Sequence, residues 1–171
     1  MIKKIIVCVI ATAVLLLTAC AEQKAFPPDV TCKQILDAAK TAVGTLLQTE
    51  EEYIKGEDDF DSYDMSLWAD SLFEECEEYK LLDDYALYYS GDNTTYEITV
   101  LKAKNSDDTQ KLVALLERRK ETLFGGNKAA YDPNFKSLMN NSRILTEDSF
   151  VILLITPDND KAITAIENLK Q

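Results

Sequence analysis

The sequence predicts a single α+β domain in which one antiparallel sheet of about four strands, arranged as two hairpins, packs against helices. Three observations lead to this prediction. Apolar residues recur at intervals of three and four in several segments, which is the period of an amphipathic helix. Two other segments are rich in aromatic and β-branched residues on either side of a short turn, as in β-hairpins. Because helices alternate with hairpins and short hairpin turns impose antiparallel pairing, a parallel sheet is not expected.

Two helices are predicted in the first half of the chain. Thr31 and Gln34 have the spacing of a capping box, and apolar residues follow at helical intervals as far as Leu47. Residues 50–61 are polar and acidic and are predicted to form a loop. From Met65 to Tyr79 apolar residues again recur at three and four, which predicts a second amphipathic helix with an acidic outer face.

The first hairpin is predicted from two strands, 85–89 and 96–100, separated by turn residues that begin at Gly91. In the second strand the apolar residues alternate with Glu97 and Thr99. This alternation is typical of a strand that buries only one of its faces.

Two further helices follow. The longer begins at Ser106 or Asp107 and is expected to stop at Gly125-Gly126-Asn127, because glycine favours helix C-termini. A short helix running to about Asn140 begins at Asp132-Pro133, where a capping residue precedes a proline in the first turn.

The second hairpin pairs residues 143–146 with residues 150–155 across Glu147-Asp148. Its second strand is apolar throughout, so we expect it to be central and covered on both faces. Thr156-Pro157-Asp158 is then predicted to cap the last helix.

The amino end has the three parts of an export signal. Lys3 and Lys4 precede an apolar run over residues 5–17, which is too short to span a bilayer comfortably. The run ends in Leu17-Thr18-Ala19-Cys20, a tetrad that resembles the lipobox of bacterial lipoprotein precursors. This resemblance implies that Cys20 carries a diacylglyceryl group and that the chain is cut before it. The alternatives are an ordinary secretory signal and an uncleaved anchor helix.

The domain boundaries follow from this interpretation. Residues 1–19 are the cleaved signal peptide, residues 20–29 are the lipidated cysteine and a tether containing Pro27-Pro28, and residues 30–171 are one domain. The expected location is the extracytoplasmic face of the cell membrane, with the lipid on Cys20 as the contact to the membrane.

The net charge of the chain restricts the classes of partner that it is expected to bind. The formal net charge is −12, and loss of the two lysines in residues 1–19 would take it to −14. Such an acidic body is not expected to bind nucleic acid or an anionic lipid surface directly. This negative charge is compatible with a folded domain held above an anionic membrane, or with binding to a cationic partner.

From Asp84 onward the chain resembles a known family. The motifs that carry the resemblance are Asp84-Tyr85-Ala86-Leu87-Tyr88, the strand ending in Lys102-Ala103-Lys104, the helix from Leu112 to Lys120, Tyr131-Asp132-Pro133, and the strand from Phe150 to Ile155. In this order they resemble the domain of unknown function 4358, found in lipoproteins of clostridia and related Gram-positive bacteria. The resemblance implies an extracytoplasmic lipoprotein module without assigned catalytic residues. The chain departs from the family at Glu147-Asp148-Ser149, where a glycine turn is common.

Two cysteines, Cys32 and Cys76, remain after Cys8 leaves with the signal and Cys20 takes the lipid. They could form a disulfide in an oxidising envelope, or both could be small buried apolar side chains. Their spacing is wrong for a metal pair, and the chain has no histidine to complete a site.

The sharpest candidate for a cation site is a group of acids at Asp58, Asp59, Asp61 and Asp64, whose oxygens could bind Ca²⁺. The spacing does not fit the EF-hand loop, because Asp64 stands where that loop needs glycine. The alternative is a solvated acidic loop and helix face.

Two groups of residues are candidates for a surface that binds a partner, and ordinary packing is the alternative for each. Tyr88 is expected to point outward from the first hairpin, where it could stack on cell-wall sugars or anchor a protein partner. Arg118-Arg119-Lys120 together with Lys111 could form a docking patch. The simpler interpretation is a solvent-facing helix on which Lys111 pairs with Asp107.

Catalytic motifs are scarce. Without histidine, Ser-His-Asp and Cys-His arrangements are excluded, and neither a Gly-x-Ser-x-Gly elbow nor a phosphate-binding glycine loop is present. We therefore expect a non-enzymatic lipoprotein without a cofactor, a binding or scaffold module for an envelope protein or a cell-wall polymer. The alternatives are a carboxylate-dependent glycan hydrolase and a cation- or solute-binding lipoprotein.

Overall fold

The computed structural model describes residues 25–44, 50–69, 75–91, 94–126 and 128–171. The helices of these segments are α1 (Cys32–Val43), α2 (Ser62–Ala69), α3 (Thr109–Gly125), α4 (Lys128–Tyr131), α5 (Phe135–Asn141) and α6 (Asn159–Glu167). The strands are β1 (Glu50–Ile54), β2 (Leu82–Ser90), β3 (Glu97–Ala103), β4 (Arg143–Glu147) and β5 (Phe150–Ile155). The predicted signal peptide and Cys20 lie outside the described residues.

All five strands form one antiparallel sheet in the order β1-β2-β3-β5-β4. The two predicted hairpins are confirmed as β2–β3 and β4–β5. In the β4–β5 turn Asp148 has a φ of 53°, so this aspartate takes the left-handed conformation that favours glycine. The fifth strand, β1, is a correction, because its residues were predicted to be loop.

Both faces of the sheet are covered, so the domain has three layers. On one face α1 and α6 pack against alternate residues of the inner strands, among them Ala86, Ile98 and Leu154. On the other face α2, α3 and α5 cover the intervening residues, such as Leu87 and Leu153. β5 is buried along its whole length, as predicted.

Because both faces of the sheet are buried, the prediction that β3 buries only one of its faces is wrong. Glu97 and Thr99 were expected on a solvent face, but they are 2% and 0% exposed. Their side chains lie under α3, the helix that covers this face.

Several helix ends are where the sequence predicts them, but α1 ends at Val43, before the predicted Leu47, because Gly44 takes a positive φ and caps it. The Thr31–Gln34 capping box is present, and Asp158 caps α6 by accepting the amide N–H of Lys161. The second predicted helix is wrong in its later part, because α2 ends at Ala69 and a 3-10 turn occupies Glu77–Leu81.

The predicted tether contributes to the fold. The ring of Phe26 packs edge-on against Phe150 with 5.2 Å between centroids, and Phe26 is 7% exposed. Ala25 accepts a hydrogen bond from the backbone N–H of Gln171. The folded body therefore includes Ala25 and Phe26. Among the described residues, no helix has both the length and the apolar character needed to cross a bilayer.

Candidate binding cleft

A cleft of about 490 Å³ opens between α2 and the β1–β2 edge of the sheet. We call it the Arg119 cleft. The side chains that decide its chemistry are Glu51, Tyr53, Asp64, Trp68, Tyr89 and Arg119.

A buried ion pair forms the floor of the cleft. Arg119 on α3 donates from Nε and Nη2 to Oε2 of Glu97 on β3, at 2.9 and 2.8 Å. The other carboxylate oxygen of Glu97 accepts from the hydroxyl of Thr99 at 3.0 Å. Arg119 also donates from Nη1 to the carbonyl oxygen of Trp68 at 2.6 Å. These bonds tie α3 to β3 and α2 and satisfy both oxygens of the buried carboxylate.

Aromatic rings enclose the guanidinium. Its carbon lies 5.1 Å from the ring centroid of Trp68 and 5.4 Å from that of Tyr89, within the range of cation–π attraction. The rings of Tyr53 and Tyr89 stack with 6.1 Å between centroids. The wall of the cleft is therefore aromatic, and Arg119 is the one cation among the described residues that line it.

The tyrosine hydroxyls form a short chain that ends at a carboxylate. The hydroxyls of Tyr53 and Tyr89 are hydrogen-bonded to each other, and Tyr53 donates to Oε2 of Glu51 at 3.4 Å. Burial raises the pKa of both tyrosines, and the negative charge of Glu51 raises both further. Both hydroxyls thus stay protonated at neutral pH.

Two partly exposed carboxylates, Glu51 and Asp64, lie at the mouth. The charges of both raise the pKa of Tyr53, so both act on the same hydroxyl. Glu51 lies close across the turn at Gly91, where an added Cβ would be 3.1 Å from Oε1 of Glu51. Gly91 therefore makes room for the carboxylate at this position.

Trp68 contributes an unused donor. The side chain is 4% exposed, and its indole Nε1 has no hydrogen-bond partner among the described residues. Buried donors are nearly always paired, so this N–H is a place where a bound molecule could supply an acceptor.

Three of the four acids predicted to bind Ca²⁺ accept hydrogen bonds from the backbone. Asp58 accepts the amide N–H groups of Ile54 and Phe60, and Asp61 accepts the amide N–H of Asp64 at the start of α2. Asp64 accepts in return from the amide of Asp61 at 3.2 Å, and Asp59 is exposed. Across the described segments, no group of three or more acids or cysteines could hold a metal ion.

Tyr88, the predicted partner-binding residue, is not at the surface. It is fully buried under α1, its hydroxyl donates to Oε1 of Glu50 at 3.1 Å, and Nζ of Lys40 lies 4.0 Å from its ring centroid. The prediction that Tyr88 points outward is wrong because α1 covers this face of the sheet.

The predicted basic patch is divided between surface and core. Arg119 is 8% exposed and points inward, while Arg118 pairs with Glu78 and Lys120 with Glu117. Lys111 pairs with Asp108, not with the predicted Asp107. The sequence does contain a signal for the inward arginine, because position 119 follows Leu112, Leu115 and Leu116 on the apolar face of the helix.

The two cysteines are both free and buried. Cys32 belongs to the cluster under α1, and Cys76 belongs to the cluster on the opposite face of the sheet. Of the two alternatives, the structure has the separately buried thiols and not the disulfide. Burial raises the pKa of Cys32, and burial with a hydrogen bond to Glu78 raises that of Cys76 to about 11.

The motifs that carry the family resemblance, from Asp84 to Ile155, lie within the residues that a family model matches. Residues 78–156 match the model described as Domain of unknown function (DUF4358). The matched segment runs from the 3-10 turn before β2 to the end of β5, and it supplies Tyr89, Glu97 and Arg119. Glu51, Asp64 and Trp68 lie before the segment, so the cleft is completed by elements that the family model does not cover. Comparisons with curated proteins and with solved structures find no match.

Proposed function

We propose that this protein is a lipoprotein held on the extracytoplasmic face of the cell membrane through a lipid on Cys20. In this proposal it is not an enzyme but a binding module of the cell envelope, and its ligand, a part of an envelope protein or of a cell-wall polymer, enters the Arg119 cleft. The lipobox-like tetrad supports the anchoring, and the aromatic cleft supports the binding.

The observation that carries the proposal is the position of the two features on the sheet. Phe26 packs on Phe150, which pairs with Lys102 near one end of β3, whereas Glu97 lies at the other end. The two ends are about 17 Å apart, since five residues of a strand rise about 3.4 Å each. The anchor side and the cleft thus lie at opposite ends of the sheet.

The short segment between Cys20 and the folded domain supports this arrangement. Only four residues separate Cys20 from Ala25, so the connection spans at most about 18 Å when fully extended. A lipid on Cys20 would keep the Phe26 end of the sheet close to the bilayer. The cleft would then open toward the envelope and its polymers.

The cleft has properties of a binding site. A volume of about 490 Å³ accommodates a small molecule or the end of a polymer. Arg119 is fixed by three hydrogen bonds, so the floor of the cleft is already ordered before a ligand arrives.

One observation favours the hydrolase alternative, namely that Glu51 and Asp64 line the same cleft. Glycosidases use two carboxylates on either side of the scissile bond. Incubation with purified cell-wall glycans, followed by an assay for new reducing ends, separates the alternatives. We expect no release above that of a Glu51→Gln/Asp64→Asn variant, and release that depends on these two acids would replace binding by hydrolysis.

The anchoring is tested by fractionation of a Gram-positive host that expresses the wild-type chain or Cys20→Ala. We expect wild-type protein in the membrane, with a diacylglyceryl group on an amino-terminal Cys20 by mass spectrometry. Cys20→Ala should give released protein or an uncut precursor, and Cys32→Ala is the matched control that should fractionate like wild type. Wild-type protein on the membrane without lipid on Cys20 would contradict the anchoring.

A further inference from the structure

We infer that the Arg119 cleft binds an organic cation, specifically an amine carried on a small oxygen-rich ligand such as an amino sugar. The inference depends on the proposed function in one respect, that the cleft is the binding site. It adds the chemical class of the ligand.

The balance of charge in the cleft is the first argument. Two carboxylates, Glu51 and Asp64, line the cleft together with one guanidinium, that of Arg119, which is bonded to the buried Glu97. The charge of Arg119 is balanced by that of Glu97, to which Arg119 donates two N–H groups. The two acids at the mouth thus keep an excess of negative charge, and among the described residues neither is in an ion pair. An anion would be repelled there, and a cation would be attracted.

The aromatic wall is the second argument. Tyr53 and Tyr89 stack on each other in the cleft that the two mouth acids also line, and the hydroxyl of Tyr53 donates to Glu51. Aromatic faces together with carboxylates form the type of site that recognises alkylammonium groups in proteins. An amine at the mouth would contact the rings and both acids together.

The buried indole is the third argument, and it concerns the rest of the ligand. The N–H of Trp68 has no acceptor among the described residues, although the residue lines the cleft. An ammonium group has only donors and cannot satisfy it. A hydroxyl or ring oxygen next to the amine could do so, which is why an amino sugar fits better than a simple amine.

A neutral sugar is the strongest competitor, since aromatic rings and carboxylates also bind sugars. Its hydroxyls would leave the excess negative charge at Glu51 and Asp64 uncompensated. A comparison of ligands that differ only in charge therefore separates the two classes.

The experiment uses glucosamine, N-acetylglucosamine and glucose as probes for the 171-residue chain in a polyoxyethylene detergent at pH 7. These sugars share one ring, and only glucosamine carries an ammonium group. Trp68 is the single tryptophan of the chain, so fluorescence emission reports the cleft alone. We expect glucosamine to bind about tenfold more tightly than the two neutral sugars.

The matched variants carry the same change of charge. Glu51→Gln/Asp64→Asn removes both acids from the mouth, and Glu57→Gln/Asp59→Asn removes two exposed acids from the adjacent loop. We expect the first pair to abolish the preference for glucosamine and the second pair to retain it.

Three results would overturn the inference. Equal affinity for the three sugars would show a site for neutral sugars. The inference that the ligand is a cation would then be wrong, while the proposed binding function would remain. An equal loss in both variant pairs would show a long-range effect of net charge and no site at the mouth. No response to the sugars or to tetramethylammonium would remove the cleft as an amine site, while the anchoring at Cys20 would still be decided by the fractionation.

Discussion

At the scale of single residues, the Arg119–Glu97 pair is the most consequential contact of the molecule. Both side chains are buried, and they join three elements at the floor of the cleft. A buried pair of this kind adds little to stability compared with apolar residues, but the loss of one partner leaves an uncompensated charge in the core. The pair therefore gives the cleft a fixed geometry at a small net gain in stability.

We expect Glu97→Gln to lower the free energy of unfolding by about 3–5 kcal/mol, because Arg119 stays charged and buried without its carboxylate. Urea denaturation followed by circular dichroism measures the loss. The double variant Glu97→Leu/Arg119→Met should recover most of it. Glu117→Gln, which breaks an exposed pair with Lys120, is the control and should cost less than about 1 kcal/mol. A loss for Glu97→Gln as small as that of the control would contradict the role of the pair.

Cys76 gives a prediction about pH. Its pKa is raised to about 11 by burial and by the hydrogen bond that its thiol donates to Glu78. Because the thiolate is the reactive form, alkylation by iodoacetamide at pH 8 should be roughly 100-fold slower than for an ordinary thiol. Peptide mass spectrometry assigns the rate to this cysteine and follows it as the pH rises.

The sign of the stability effect follows from the same shift. The unfolded thiol releases its proton near pH 9, while the native thiol retains it up to about 11. Folding should therefore become less favourable as the pH rises between these values. Alkylation in urea is the control and should show the ordinary pKa, and a native midpoint near that value would contradict the burial of Cys76.

At the scale of elements, the segment between β1 and α2 is held by one carboxylate. Asp58 accepts two backbone N–H groups, from Ile54 and Phe60, and the hydroxyl of Tyr85 donates to it at 3.3 Å. The acid is used as a structural acceptor at the point where the chain turns from the edge strand to the helix that lines the cleft.

We expect Asp58→Ala to lower the free energy of unfolding by about 1–3 kcal/mol, since it leaves partly buried N–H groups without an acceptor. Asp59→Ala, an exposed neighbour, is the control and should change it by less than about 0.5 kcal/mol. Thermal melting with and without Ca²⁺ completes the test. Equal effects of the two variants, or a loss seen only with Ca²⁺, would indicate solvation or a cation site in place of the structural role.

The elements also show what could be predicted from the sequence. Hairpins and helix ends were accessible because each has a local chemical signal, such as the Thr31 capping box or the apolar run of β5. β1 could not be predicted from the sequence, because its three consecutive glutamates are typical of a loop. Only their pairing with β2 makes them an edge strand. The cleft was missed for the same reason. Its residues come from separated elements, and only the position of Arg119 on an apolar helix face signalled a buried charge.

At the scale of the whole molecule, the packing of Phe26 on the sheet would restrict the orientation of a protein anchored at Cys20, as proposed above. Phe26 is fixed on Phe150, and the lipid on Cys20 would lie at most about 18 Å from Ala25. A body without this contact could turn freely about a longer linker. The packing of Phe26 therefore predicts that one end of the sheet faces the bilayer on average.

Strand β4 offers a matched pair of positions for testing this orientation. Asp148, in the turn next to Phe150, and Arg143, at the other end of β4, are both exposed. Spin labels on Asp148→Cys and Arg143→Cys, in lipidated protein reconstituted in vesicles, report their distance from the bilayer through relaxation by lipid-soluble oxygen. We expect the label at position 148 to lie closer by roughly 10–15 Å, because five strand residues rise about 17 Å and the body tilts. Phe26→Ala should reduce this difference by freeing the tether, and equal depths in the wild-type background would show that the lipid does not orient the cleft.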